Sequence, residues 1–224
     1  IYRIFSRRIR NRQLNGEQID LDALVDFHAD LKHGGIVSDK LYLKKKNTFQ
    51  DISIFFLLDL SQSMDSWKDR KRILDVATDG LWILGEVFSD LVPNMGIGGF
   101  YSLTRKNCQF KIIKSFEESW GIGRHKVFNL QTEGHTRIGP ALRHAQSILN
   151  KTNSKRRILM LLTDGKPIDY DRYEGIYGEK DIQMAISEGK SNGVSTFAFA
   201  FEKDSNQSFI KMFGRNCFEI VSKP

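Results

Sequence analysis

Oxygen-bearing side chains occur in three segments that follow predicted strands or precede a predicted helix. Asp59, Ser61 and Ser63 stand at every second position directly after a run of seven apolar or small residues, Thr136 precedes a predicted helix, and Asp164 ends a second apolar run. Carboxylate and hydroxyl oxygens are the ligands that hard divalent cations such as Mg²⁺ prefer, whereas His and Cys suit softer metals. These residue types therefore indicate a site for a hard cation.

Hydroxyl ligands have a consequence for what such a site does. Because neutral oxygens leave most of the cation's charge unneutralised, an open coordination position attracts a carboxylate from another molecule. The alternative is a nucleophile at Ser61 or Ser63, but neither serine lies in a GxSxG motif, and no spacing makes His125, His135 or His144 its base. We expect adhesion rather than catalysis.

Two other enzyme classes are disfavoured by missing residues. A haloacid-dehalogenase-type phosphatase needs a second Asp two residues after the first, and Ser61 stands at that position. There is also no GxxxxGK[ST] motif, so this chain is not expected to bind ATP through a P-loop.

Alternating strand and helix patterns must bring these segments together. The uniformly apolar stretch 51–59 predicts a central parallel strand that is buried on both faces. The remaining predicted elements are a helix at 68–91, a strand hairpin at 95–102 and 109–115, a helix at 139–150, a strand at 157–165, a helix at 179–193, a strand at 194–201, a helix at 205–214 and a strand at 216–221. Residues 116–131 show no clear period. This order predicts a Rossmann-like α/β fold with a mostly parallel central sheet, one antiparallel edge strand and helices on both faces, with functional sites beyond the carboxyl ends of the strands.

Length and charge divide the chain into two regions. Its 224 residues are enough for one sizeable α/β domain, which we place at 51–224. Residues 1–50 form a basic and helical extension, with an amphipathic helix at 20–32. The net charge of +7 comes largely from two basic stretches, which favours a solvated arm, or contact with further chain, over binding of nucleic acid.

Composition also bears on location. No apolar stretch reaches the roughly 18 residues that a membrane span needs. Cys108 and Cys217 are far apart and lack metal-ligand spacing, which favours a reducing, cytoplasmic compartment. Since the chain begins with Ile1, we expect upstream sequence in the parent protein.

A family resemblance adds to these inferences. DLSQS, Thr136 and LLTDG resemble, in this order and separation, the DxSxS, Thr and Asp elements of the metal-ion-dependent adhesion site of von Willebrand factor A domains. The resemblance implies that Ser61, Ser63 and Thr136 contact Mg²⁺, directly or through water, with Mn²⁺ or Ca²⁺ as alternatives. It also implies that Asp59 and Asp164 hold coordinated waters. A degenerate copy without metal is the other interpretation.

A narrower resemblance covers nearly the whole chain. The stretch Leu161–Ile186, together with GHTRIGPALRHA, is similar to the NorD/CbbO proteins, which pair with MoxR-type AAA+ ATPases of the NorQ and CbbQ kind. It implies a non-catalytic adaptor that binds an exposed acidic residue of a client enzyme, so that the ATPase remodels the client, nitric oxide reductase or Rubisco in the named cases. A subunit of another AAA+ system, such as a metal chelatase, and a general adhesion domain remain alternatives.

The charged, aromatic loop after Asp164 is interpreted as a partner-facing surface, with two further residues near the metal segments. The predicted surface comprises Trp67, His135, Lys166, Asp169, Tyr173, Glu174 and Tyr177. Two alternatives are a locally packed loop that shapes the rim of the metal site, and a second metal site at Asp169, Asp171 and Glu174.

Overall fold

The computed structural model describes residues 5–16, 18–33, 38–49, 51–68, 70–92, 94–165, 167–201 and 206–221. The chain divides into two compact units, residues 1–50 and residues 51–224, which we call the N-terminal unit and the main unit. Within the described part, no helix is long and apolar enough to cross a membrane.

The N-terminal unit contains more than the expected helix. Its elements are β1 (Phe5–Gln13), β2 (Gln18–Ile19), α1 (Leu21–His33) and β3 (Tyr42–Phe49), and the strands form an antiparallel sheet in the order β1-β3-β2. The basic runs of β1 and β3 hid this sheet, because their sequences lack the regular apolar alternation that identifies a strand. Helix α1 confirms the predicted helix, although Leu21 and Val25 of its apolar stripe are exposed.

The main unit alternates strands and helices. Its strands are β4 (Ile52–Asp59), β5 (Trp67–Lys68), β6 (Lys71–Arg72), β7 (Asn94–Thr104), β8 (Asn107–Lys114), β9 (Arg156–Thr163), β10 (Val194–Ala200) and β11 (Phe218–Ile220). Its helices are α2 (Ile73–Leu91), α3 (Trp120–Val127), α4 (Ile138–Asn150), α5 (Gly175–Ser191) and α6 (Asn206–Phe213), with a 3-10 helix at Gln62–Asp65.

The central sheet has the predicted architecture. Six strands pair in the order β11-β10-β9-β4-β7-β8, and every pair is parallel except β7 with β8 at one edge. Strand β4 lies between β9 and β7, where Leu58 is level with Leu162 on one side and with Gly99 on the other. The carboxyl end of β4 therefore opens in the middle of the sheet.

Strand β4 supplies both hydrophobic cores. Phe56 and Leu58 pack with α2 and α3 on one face, whereas Phe55 and Leu57 pack with α4, α5 and α6 on the other. This alternation follows from the two-residue period of a strand, and it explains why β4 shows an unbroken apolar run. Each such side chain stabilises the fold by about 1.5–3 kcal/mol when fully buried.

Helix α3 lies in the stretch that showed no sequence period. Its buried residues are Trp120, Gly123 and Val127, and the rest of the helix is exposed. So short an apolar stripe, interrupted by glycines, leaves too weak a pattern to identify a helix. The helix is held by its packing on α2, where the Trp120 ring leaves no room for a side chain at Gly85.

Candidate metal centre

Asp59 ends β4 with a fully buried carboxylate. The carboxylate accepts a hydrogen bond from the backbone N–H of Ser61 at 2.9 Å and another from the hydroxyl of Thr163 at 2.7 Å. Thr163 is the last residue of β9, and its hydroxyl accepts the N–H of Gly165 at 3.1 Å. The Asp59 side chain thereby links the loop after β4 to the loop after β9.

Ser61 and Ser63 converge above that carboxylate. Their hydroxyl oxygens lie 2.9 Å apart, with Ser61 buried and Ser63 exposed. The chain turns here into the 3-10 helix, where the N–H of Met64 bonds to the carbonyl of Ser61. The short turn brings side chains two positions apart to the same place.

The segment that carries Thr136 is fixed by backbone hydrogen bonds on several sides. His135 and Ser102 exchange N–H···O bonds of 2.8 and 2.6 Å, and Thr136 and Ile168 exchange bonds of 2.9 and 3.1 Å. On the side of the β4 loop, Gln62 donates its N–H to the carbonyl of Gly134 at 3.1 Å. Thr136 is therefore held between the loop after β4 and the loop after β9.

Gly134 makes this close approach feasible. Its φ of +65° lies in the left-handed region, and a Cβ added there would stand 2.4 Å from the carbonyl oxygen of Ser102. Only glycine meets both requirements without strain.

One cavity of about 710 Å³ brings the predicted ligands together. Ser61, Ser63, Thr136 and Asp164 line it, and Asp59 touches Ser61 from behind. The five residues predicted as a metal site thus come from three loops and meet at the carboxyl edge of the sheet. Whether they bind a metal stays a prediction.

The donor set fits a hard cation. Three hydroxyl residues and the Asp164 carboxylate line the cavity, and the Asp59 carboxylate lies behind Ser61, which matches the oxygen preference of Mg²⁺. Among the described residues, no group of three or more His, Cys, Asp and Glu side chains is placed to hold a metal. The candidate site therefore differs from a carboxylate-rich or histidine-rich metal centre.

The Asp164 carboxylate affects the protonation of Asp59. Burial, and secondly the neighbouring Asp164 carboxylate, raise the pKa of Asp59 to about 7, while the hydrogen bonds from Thr163 and Ser61 act in the opposite direction. A cation beside Asp59 and Asp164 would offset their repulsion.

The predicted partner surface is divided by burial. Trp67 and Tyr177 are exposed to 73% and 61%, and Glu174 is also exposed. His135 is half-buried, and its ring centroid lies 4.2 Å from that of the exposed Tyr170. Lys166 lies outside the described residues.

The prediction that Asp169 and Tyr173 belong to that surface is wrong. Both are buried, because the loop after β9 folds inward onto the start of α4. The hydroxyl of Tyr173 donates to Asp181 at 2.6 Å and accepts the N–H of Gly139 at 3.1 Å. These contacts match the interpretation of a packed loop that shapes the rim.

A second metal site at Asp169, Asp171 and Glu174 is also contradicted. The guanidinium of Arg137 donates to the carboxylates of Asp169 and Asp171, while Glu174 is exposed. Sequence analysis missed Arg137 as a structural residue. Its position directly after Thr136, and the acidic residues of the loop, were the available signals, but a separation of 32 residues hid the pairing.

The chain is similar in sequence to a known domain family and to known proteins. The model of the von Willebrand factor type A domain matches residues 53–219. Protein NorD of Brucella suis biovar 1 is 34% identical over 217 residues, covering 96% of this chain and 34% of that protein. The chain thus spans about a third of the length of this curated relative.

Two solved structures share the fold at low sequence identity. A D319A mutant of the PilB minor pilin from Streptococcus sanguinis aligns with a TM-score of 0.60 at 14% identity, covering 79% of this chain and 58% of that one. A von Willebrand factor type A structure from Catenulispora acidiphila aligns with a TM-score of 0.54 at 17% identity, covering 81% and 41%. At these identities the likeness concerns the fold alone.

Proposed function

The chain belongs to the von Willebrand factor type A domain family, and we propose that it is a non-catalytic adaptor module that captures a client protein through a divalent cation. Ser61, Ser63 and Thr136 would hold the cation, with Asp59 and Asp164 behind them. When bound, the cation supplies an open coordination position for an acidic side chain of the client.

The convergence of the five predicted ligands around one cavity carries this proposal. Their segments are separated by long stretches of sequence, yet backbone hydrogen bonds join all three loops. Serine and threonine hydroxyls are neutral donors, which leave a cation electrophilic towards a carboxylate. Mg²⁺ suits this donor set, with Mn²⁺ and Ca²⁺ as further candidates.

The surroundings of the cavity favour a protein as the ligand. Trp67 and Ile168 line the cavity and are 73% and 46% exposed, and Tyr170 stands beside His135 with 75% of its surface exposed. Exposed aromatic and aliphatic residues next to a charged site are typical of protein interfaces. We assign client contact to Trp67, His135, Glu174 and Tyr177, and add Ile168 and Tyr170.

The proposed client is an enzyme remodelled by a MoxR-type AAA+ ATPase. The relatives named NorD support an accessory role of this kind, and the absence of a P-loop motif in this chain is consistent with ATP hydrolysis by a separate subunit. Nitric oxide reductase and Rubisco are the candidate client enzymes. A subunit of a chelatase-type AAA+ system, or a general adhesion domain, would use the same site.

Titration calorimetry with Mg²⁺ alone tests the cation site. We expect weak binding by the wild-type chain, since the metal keeps several waters, and loss of binding in Thr136→Ala. Ser66→Ala is the matched control, because Ser66 lines the same cavity without belonging to the predicted ligands. Unchanged Mg²⁺ binding in Thr136→Ala, or in the double variant Asp59→Ala and Ser61→Ala, would refute this location.

Capture experiments test the adaptor role. The protein and a MoxR-type ATPase are incubated with candidate clients in Mg²⁺ or in EDTA. We expect a client to be retained only in Mg²⁺, and not by folded Thr136→Ala. Retention that is equal in Mg²⁺ and EDTA would show a scaffold that works without the cation.

A further inference from the structure

Arg137 follows the candidate ligand Thr136 and is almost fully buried. Its side chain is 5% exposed, and that of its partner Asp169 is 0% exposed. A buried arginine needs partners for its fixed fork of N–H donors, and leaving it or its partner unpaired is costly. The contacts of Arg137 therefore show which residues fix the segment that carries Thr136.

Among the described residues, the side chains that hydrogen-bond to Arg137 or stack on it belong to the loop after β9. Its Nε donates to the Asp169 carboxylate at 2.9 Å, and its terminal nitrogen bonds to Asp171. Its guanidinium carbon lies 4.2 Å from the centroid of the Tyr173 ring. One side chain from the start of α4 thus contacts three residues within a stretch of five.

The same acidic residues also contact β7 and the turn that follows it. Asp169 accepts the hydroxyl of Ser102 at 3.0 Å, and Asp171 accepts the N–H of Arg105 at 3.0 Å. Since Ser102 is bonded to His135 through the backbone, the contacts form a closed ring around the Thr136 segment. The loop after β9 is therefore fixed to the fold through Arg137 and its acidic partners.

We infer that Arg137 is a positioning residue for the cation site: it clamps the loop that begins with Asp164 against the segment that carries Thr136. The Thr136–Ile168 backbone pair joins the same two segments beside the cavity. Releasing the guanidinium frees the loop, and the ligands on the two segments lose their common geometry. This inference rests on the proposed cation site, but the clamp itself is independent of any metal.

The variant Arg137→Met keeps the length of the side chain and removes its charge and hydrogen bonds. We expect the affinity for Mg²⁺ to fall by about 10- to 100-fold, the range typical of residues that orient metal ligands. Without metal, we expect faster amide hydrogen exchange at Thr136 and Ile168, whose N–H groups form the backbone pair. Arg137→Lys retains the charge but not the planar fork. Its Mg²⁺ affinity and its amide exchange rates should lie between those of the wild type and those of Arg137→Met.

Arg143→Met is the matched control. Arg143 lies on the same helix and pairs with Asp181 and Glu188, away from the cavity lining. We expect this variant to keep wild-type Mg²⁺ affinity and wild-type exchange at Ile168. A general loss of stability would affect both arginine variants, whereas a clamp is specific to Arg137.

The two measurements separate the outcomes. Wild-type affinity and wild-type exchange in Arg137→Met overturn the clamp. If the wild-type chain binds no Mg²⁺, the proposed function fails, and exchange at Thr136 and Ile168 alone decides the clamp. If Arg137→Met does not fold, the same criteria apply to Arg137→Lys.

Discussion

At the scale of single residues, Tyr173 illustrates how one hydroxyl joins a loop to a helix. It donates to Asp181 of α5 and accepts the N–H of Gly139 in the first turn of α4. The ring packs against the guanidinium of Arg137 and meets the ring of Tyr177 edge-on. An aromatic residue that suggested a surface from sequence is therefore part of the interior.

Tyr173→Phe should destabilise the main unit by about 1–3 kcal/mol, because the variant leaves a buried N–H without its acceptor and removes a donor from Asp181. Urea unfolding followed by circular dichroism measures the change. Tyr177→Phe is the control, since Tyr177 is 61% exposed, and should change stability by less than about 0.5 kcal/mol. Equal effects of the two variants would contradict the role given to the Tyr173 hydroxyl.

The candidate metal ligands could be named from the sequence residue by residue, and Arg137 could not. Asp59, Ser61 and Ser63 are close in sequence, and their alternating spacing predicts a site for a hard cation. Arg137 acts through Asp169 and Asp171, and nothing in a single sequence distinguishes this pairing from the many other pairings open to an arginine and a carboxylate. Ion pairs between distant residues depend on the fold that brings them together.

At the scale of elements, the connection before α4 depends on a backbone shape. Gly134 has positive φ, and its neighbour His135 pairs with Ser102 of β7. The next residue, Thr136, forms the backbone pair with Ile168. The segment therefore forms two isolated antiparallel bridges at the carboxyl edge of the sheet, one to β7 and one to the loop after β9.

Gly134→Ala should lower the free energy of unfolding by about 2 kcal/mol or more, from left-handed backbone strain and the clash with Ser102. Gly80→Ala is the matched control: Gly80 lies within α2, and a Cβ there meets nothing within 4 Å. It should raise stability by about 0.5–1 kcal/mol. Urea unfolding should show changes of opposite sign in the free energy of unfolding for the two variants. An unchanged free energy in Gly134→Ala would refute the argument.

The strength of the sequence pattern decided which elements were predicted. The continuous apolar run of β4 and the long apolar stripe of α2 were predicted correctly, because packing on one or two faces of an element leaves a recognisable pattern of apolar residues. The strands β1 and β3 and the helix α3 have no such pattern, so sequence analysis missed them. Helix α5 begins at Gly175, four residues before the predicted start at 179, and its first three residues are exposed, so they add no buried apolar position to the pattern.

At the scale of the whole molecule, a bound cation should stabilise the folded state. A ligand that binds only the folded chain adds about 2.7 kcal/mol at a free concentration about 100 times its Kd. We expect Mg²⁺ to raise the melting temperature relative to NaCl of equal ionic strength, and Thr136→Ala to remove this increase. An equal rise in the variant would point to a binding site elsewhere.

The position of β4 within the sheet bears on mechanical load. Ser61 directly follows β4, and β4 is hydrogen-bonded in parallel to β7 on one side and to β9 on the other. A pull on a captured client, directed along β4, would strain both ladders in shear, so that many hydrogen bonds resist at once instead of breaking one after another. Under the proposed function, a force on the client would therefore reach the domain through a strand that is held by hydrogen bonds on both sides.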